Sequence, residues 1–165
     1  MAARDRRRLL RALLLLAILA VAGMIFLFSA QSGAKSKETS DRVTDAALSI
    51  VVRGYKRMTE SQRLPYRKSA GLIIRKAAHF SEFALLSALL ALYIDTSPRR
   101  RGLRLSLPLS WLLATLYACT DEIHQQYVSG RGPALLDVGI DSLGAVCGAL
   151  ITLALLAWAR QRKRA

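Results

Sequence analysis

The chain has 165 residues, of which 53% are hydrophobic and 22% charged, with a formal charge of +14 and a mean hydropathy of +0.27. That length supports one compact domain, 1–165, and that hydropathy excludes an ordinary soluble one. The basic residues flank apolar runs, and no zinc finger, basic zipper or aromatic-interleaved strand accompanies them. Phospholipid headgroups, not nucleic acid, are therefore the expected anionic neighbours.

In chain order, the first expected span covers about 9–28, with Arg4, Arg6, Arg7, Arg8 and Arg11 at its head. Its length suits a bilayer core of about 30 Å. A secretory signal is the rival reading, but its apolar region should be shorter, and Phe28 two places before a cut at Ala30 breaks the small-residue rule. An external connection of about 29–76 follows. Within it, Val43, Ala47, Ile50, Val51 and Met58 recur at helical spacing, with Arg42, Arg53, Lys56 and Arg57 mainly between them. This predicts an amphipathic helix lying on the membrane surface or, equally by periodicity, packed on the ends of the spans. Gln62 to Lys68, with Pro65, reads as a loop.

A second span is expected at about 77–94, ending near Asp95 before the turn Ser97-Pro98-Arg99-Arg100-Arg101-Gly102. The third covers about 105–119, with Pro108 in its first turn. The fourth covers about 138–158 and runs into the basic tail from Arg160 to Arg164. Gly144 and Gly148 form a small-residue pair that lets a neighbouring helix approach, and packing within the monomer is the expected use. Cys119 and Cys147 lie in apolar runs and read as small buried hydrophobes. The expectation is an all-α membrane protein with four transmembrane helices and an interfacial helix between the first and second. The basic head, middle loop and tail put both termini in the cytoplasm by the positive-inside rule, although the basic residues of the long connection oppose this.

Both histidines and several acids fall in three clusters: His79 with Glu82, Asp121-Glu122-Ile123-His124-Gln125, and Asp137 with Asp141. Each cluster sits at the edge of an apolar segment. A chain that enters at the outer face, descends, climbs and descends again brings all three to one level. The spacings of three and four then put His79 with Glu82, Asp121 with His124, and Asp137 with Asp141 on shared helix faces. Arg131, in the hairpin Tyr127 to Pro133 where Gly130 and Gly132 can take positive φ, is carried over that point, and Arg75 and Lys76 stand one turn above His79.

Three readings of this convergence stay open. His79, Glu82, Asp121 and His124 offer imidazole and carboxylate ligands from facing helices, which suit a divalent metal such as Zn or Fe and could activate water. The set has neither a His-Glu-x-x-His motif nor a thiolate. In a metal-free alternative, His79 or His124 is a general base oriented by a carboxylate, with Glu82, Asp121 and Glu122 as further catalytic candidates. Arg131 with Arg75 or Lys76 then holds a phosphate or carboxylate. The third reading is a satisfied ion-pair network, for example Arg131 with Asp137 and Lys76 with Glu122, that locks the helix ends. Asp95, Glu38 and Glu60 read as solvated or interfacial charges.

The series Phe28-Ser29-Ala30-Gln31-Ser32, Arg75-Lys76-Ala77-Ala78-His79-Phe80-Ser81-Glu82-Phe83, Asp121-Glu122-Ile123-His124-Gln125-Gln126-Tyr127, Gly130-Arg131 and Asp137 to Gly144 resembles the VanZ-like family. The resemblance covers nearly the whole chain. It implies a small bacterial plasma-membrane protein with an envelope role, in a family whose namesake is associated with teicoplanin resistance. It also implies the polar positions Ser29, Gln31, Arg75, Lys76, His79, Glu82, Asp121, Glu122, His124, Gln125, Arg131 and Asp137. Ser29 and Gln31 are the addition, at the outer end of the first span; a helix end bonding its own carbonyls is their bland reading. Family members often carry Asn where this chain has Asp141, which here adds a charge.

Two functions from different classes are expected. In the first, an outer-leaflet pocket with Ser29, Gln31, Arg75, Lys76, Gln125, Arg131, Asp137 and Asp141 grips an anionic membrane lipid, a lipid-linked cell-wall precursor or a lipoglycopeptide. In the second, the same pocket performs metal- or His-assisted hydrolysis or transfer on a lipid.

Overall fold

The computed structural model describes residues 3–97, 102–132 and 134–162. Every regular element among them is helical: α1 (Ala3–Ser29), α2 (Gly33–Val51), a single 3-10 turn at Tyr55–Arg57, α3 (Glu60–Asp95), α4 (Gly102–Gln125) and α5 (Leu135–Arg162). Three of these, α1 from Arg4, α3 and α5, are long and apolar enough to cross a membrane. α4 is not among them: Ser106, Pro108, Ser110 and Thr115 interrupt its apolar run, and Asp121 and Glu122 close it. Pro108 falls further inside α4 than the first turn, giving up one backbone bond there. The turn expected at Pro98 to Arg101, the tail beyond Arg162 and Pro133 lie outside the described residues.

α3 and α5 run parallel as the central pair. Lys76 meets Asp137, Phe80 meets Gly144, Ala84 meets Gly148 and Asp95 meets Arg160, so the register holds for the length of the contact. A Cβ on Gly144 or Gly148 would collide with the backbone carbonyl of Phe80 or Ala84. The glycine pair therefore works within the monomer, letting backbones rather than side chains meet. α4 returns antiparallel and adds a buried stripe of Ser106, Ser110, Ala114 and Ala118, four residues apart. α1 packs beside α3 and α4, where Ile25, Phe83, Leu86, Ala114, Ala118 and Ala145 make the core and the Tyr117 hydroxyl donates to the carbonyl of Ala22 at 2.7 Å. Cys119 and Cys147 are both unbridged and half-buried.

The connection between α1 and α3 differs from its sequence reading. Gln62 to Lys68 is helix, not loop: Thr59 and Gln62 form a capping box, with the Gln62 side chain accepting from the Thr59 amide at 2.9 Å. Pro65 costs one backbone bond near the start of a helix that nonetheless runs unbroken for 36 residues in all, roughly 54 Å at about 1.5 Å per residue. The predicted helix around Val43 to Val51 is present as α2, but Met58 lies beyond its end, past Gly54, whose φ of 80° turns the chain. α2 packs antiparallel along the first half of α3, burying Thr44 and Leu48 while Ile50 and Val51 stay exposed.

That packing is pinned by charge. Arg67 donates to both carboxylate oxygens of Asp45, at 2.6 and 2.5 Å, and also pairs with Glu60; the buried Tyr55 hydroxyl donates to Asp45 at 2.7 Å. Glu60 is thus an ion-pair member rather than a merely solvated charge. The hydrogen bonds from Arg67, then from Tyr55, hold the Asp45 carboxyl at about 2 instead of an ordinary 3.8, against the opposing pull of burial.

Candidate functional site

Helix directions bring three polar clusters to one end of the bundle. α1 finishes there at Ser29, α3 passes through with Arg75, Lys76, His79 and Glu82, α4 finishes with Asp121 to Gln125, and α5 begins with Asp137 and Asp141. Thirteen residue steps separate Glu82 from Asp95, so the cluster stands about 20 Å along the helix from the basic end.

A cavity of about 230 Å³ opens between α1, α2 and α3. α1 supplies Ile25, Phe28 and Ser29, with Gln31 just beyond its end; α3 supplies Ile74, Arg75, Ala78, His79 and Glu82; Arg131 reaches in from the α4–α5 loop. The remaining wall, Ser36, Thr39, Ser40 and Val43, comes from one face of α2. The sequence reading placed Val43 on an apolar helix face and did not single out Ser36, Thr39 or Ser40. The spacing of three, four and seven from Ser36 to Thr39, Ser40 and Val43 was the available signal for a shared face.

Of the residues expected to converge, Ser29, Gln31, Arg75, His79, Glu82 and Arg131 line the cavity directly. The Ser29 side chain is almost fully buried, yet its Oγ has no hydrogen-bond partner among the described residues, so it does not cap its own helix. Thr39 donates to Gln31 at 3.4 Å, which ties the α1 end to α2. Behind the cavity, His79 Nδ1 faces Asp141 Oδ1 at 3.9 Å, beyond hydrogen-bond length. Both atoms are buried without a partner among the described residues, and Asp141 is only 3% exposed. Asp121 lies within electrostatic reach of both His79 and Glu82.

The other expected residues play supporting parts. Lys76 donates to Asp137 at 2.7 Å, and Glu122 accepts the backbone N–H of Ala134, so neither pair expected for a locking network forms among the described residues. Gln125 donates to Asp121 at 3.0 Å. Arg131 donates to the carbonyl of Phe28 at 3.2 Å and pairs with no carboxylate among the described residues. Gly130 takes the positive φ expected of it, 72°, and Gly132 does not. The approach is close enough that Gly33 donates its N–H to the Ser129 carbonyl at 2.9 Å and has no room for a Cβ against Gly130.

His124 departs most from expectation. Its ring packs on Phe26, 4.8 Å between centroids, and it does not line the cavity. Among the described residues, no group of three or more His, Cys, Asp or Glu side chains is arranged to hold a metal ion. The helical phase that turns Asp121 toward His79 turns His124 toward α1, which parts the four residues considered as metal ligands.

A family model described as VanZ/LLP1 matches residues 14–157. No curated protein and no solved structure matches the chain. The match begins inside α1 and ends inside α5, taking in every wall of the cavity and the polar cluster behind it, and on that evidence the chain belongs to the VanZ/LLP1 family.

Proposed function

We propose that this VanZ-like membrane protein binds a phosphate-bearing lipid, with the headgroup in the cavity and the chains along its apolar flank. The observation that carries the reading is the pairing of two guanidinium groups, Arg75 and Arg131, that form no ion pair with a described carboxylate, with the unpartnered buried Ser29 hydroxyl on the wall of the same cavity. Guanidinium forks and a hydroxyl are the donors a phosphate uses. Ile25, Phe28, Val43 and Ile74 on the same walls suit hydrocarbon. The volume of about 230 Å³ is below the roughly 300–1,000 Å³ of sites that enclose drug-sized ligands. That favours a lipid or lipid-linked headgroup over a whole lipoglycopeptide such as teicoplanin, and an envelope role over direct capture of the antibiotic.

In this reading α4 also crosses the bilayer, because it is packed against both α3 and α5. Both termini then lie on the cytoplasmic side of the plasma membrane and the cavity in the outer leaflet, with Arg11 and Arg160 at the inner edge. An enzymatic reading is favoured by one observation: His79 lines the cavity with Asp141 behind it, the order of a general base and its orienting carboxylate.

The test is an inventory of lipids and metals retained by gently purified protein, compared between the wild type and a His79→Ala/Glu82→Ala double variant. Binding predicts phospholipid retained by the wild type and depleted in the variant. Identical inventories would sink the pocket as a ligand site, and a stoichiometric metal lost with the two side chains would turn the reading toward metal-assisted hydrolysis.

A further inference from the structure

The charges on the α3 wall of the cavity are ordered along the helix. Arg75 is exposed, His79 follows a turn on and the half-buried Glu82 a turn beyond it, backed by Asp121 and Asp141, while Arg131 enters from the α4–α5 loop within electrostatic reach of Asp121 as well. Lys76 is taken up by Asp137 and so does not relieve this acidic floor, and Glu122, held by the Ala134 amide, adds to it. An acid cluster alone specifies nothing. Here, however, Asp141 is almost wholly buried with one carboxylate oxygen unpartnered, and it faces a histidine nitrogen in the same condition. Buried acceptors of this kind are costly until a donor reaches them. The acids do not converge closely enough to form a metal-ligand group among the described residues. A group that carries several N–H donors and spreads its charge over longer hydrogen bonds meets such a floor better than a metal ion does.

Resting on the phosphate-lipid reading above, we infer that the cavity selects a headgroup bearing a primary ammonium beyond its phosphate, as in a phosphoethanolamine lipid. The phosphate sits at the rim between Arg75 and Arg131 with the Ser29 hydroxyl. The ammonium passes inward past His79 to Glu82 and the carboxylates behind it, and the chains leave along Val43 and Ile74. The order of chain, anion and cation in the ligand matches the order of apolar flank, basic rim and acidic floor in the protein.

The experiment offers full-length protein in detergent an equimolar mixture of phosphatidylethanolamine, phosphatidylglycerol and phosphatidylcholine with identical acyl chains. Native mass spectrometry then reads the lipid retained. Phosphatidylethanolamine should be enriched about tenfold over the other two, the ratio that one charge-assisted hydrogen bond supports. Phosphatidylcholine has the positive charge without the N–H donors, so it separates hydrogen bonding from charge alone. Glu82→Gln should bring the three lipids to near equality, and Arg75→Ala should lower all three together. Equal retention by the wild type would overturn the ammonium assignment while leaving the phosphate-lipid reading intact. Retention of no phospholipid would overturn both. Free phosphoethanolamine added to a parallel sample at the same concentration should leave the retained phosphatidylethanolamine in place, and its displacement would overturn the lipid as source. The wild-type ratio decides even if a variant fails to fold.

Discussion

The two ends of the α3–α5 pair are built from similar charges and treat them in opposite ways. At the basic end, one nitrogen of Arg160 reaches both oxygens of Asp95, at 2.6 and 2.5 Å, while Arg11 donates to the Tyr93 carbonyl at 3.2 Å and lies 4.2 Å over the Tyr93 ring. Asp95, which the sequence alone presents as a solvated or interfacial charge, is only 11% exposed and paired with Arg160. At the other end, Ser29, His79 and Asp141 are buried with atoms unpartnered among the described residues, and Arg75 and Arg131 have no described carboxylate. The same two helices, in one continuous register, close one end and leave the other unsatisfied. Unsatisfied buried polar atoms cost stability, and two of them, Ser29 Oγ and His79 Nδ1, belong to residues on the cavity wall, where the proposed lipid would complete them.

The largest effect should come from breaking the frame both ends share. Gly148→Leu puts a side chain into the Ala84 backbone carbonyl and should cost about 3 kcal/mol, the upper part of the usual range for overpacking. Thermal unfolding followed by circular dichroism reads it, and an unchanged melting temperature would mean that α3 and α5 do not meet as described.

A matched pair of substitutions then sharpens the contrast. Asp95→Asn removes a partner from Arg160 and should destabilise by at most about 1 kcal/mol, since Arg160 is half-exposed, while leaving lipid retention unchanged. Asp141→Asn replaces a buried acid, whose Oδ1 has no partner among the described residues, by a neutral amide of the same shape. It should raise the melting temperature of lipid-free protein, by about 1 kcal/mol of stability, while lowering lipid retention. Stability changes of the same sign at both ends would erase the distinction between them.

The smallest effect concerns the α2–α3 hairpin that walls the cavity. Asp45 is held at about 2, below its ordinary 3.8, so the Arg67 contact contributes fully above about pH 4 and is lost as pH falls through 2. Hydrogen exchange of α2 should therefore speed up between pH 4 and pH 2, after correction for the intrinsic rate, and Asp45→Asn should abolish that step. Equal pH profiles for the two proteins would remove the Asp45–Arg67 pair from any role in holding α2.

Much of this contrast was legible in the chain. Apolar runs located all four bundle helices and read each as a span, whereas α1, α3 and α5 alone among the described helices are long and apolar enough to cross a membrane. Alternating direction was enough to bring His79, Asp121 and Asp141 to one end, and the Gly144–Gly148 spacing foretold close packing. What spacing could not supply was rotational phase between helices: it put Asp121 and His124 on one face, but only packing turns Asp121 toward α3 and His124 onto Phe26. Phase also decides that Lys76 takes Asp137 rather than Glu122. The upper half of α3 was obscured by Pro65, whose local cost is outweighed by the Thr59–Gln62 capping box and by α2 packed alongside. The polar stripe from Ser36 to Val43 was obscured because a helix face that lines a cavity looks, in sequence, like a solvated one.

The most direct test of the central claim is the phospholipid phosphorus that co-purifies per protein, compared between the wild type and an Arg75→Ala/Arg131→Ala double variant under identical gentle extraction. The account predicts about one bound phospholipid more for the wild type, resistant to detergent exchange, with circular dichroism unchanged between the two. Equal phosphorus in two equally folded proteins would contradict it.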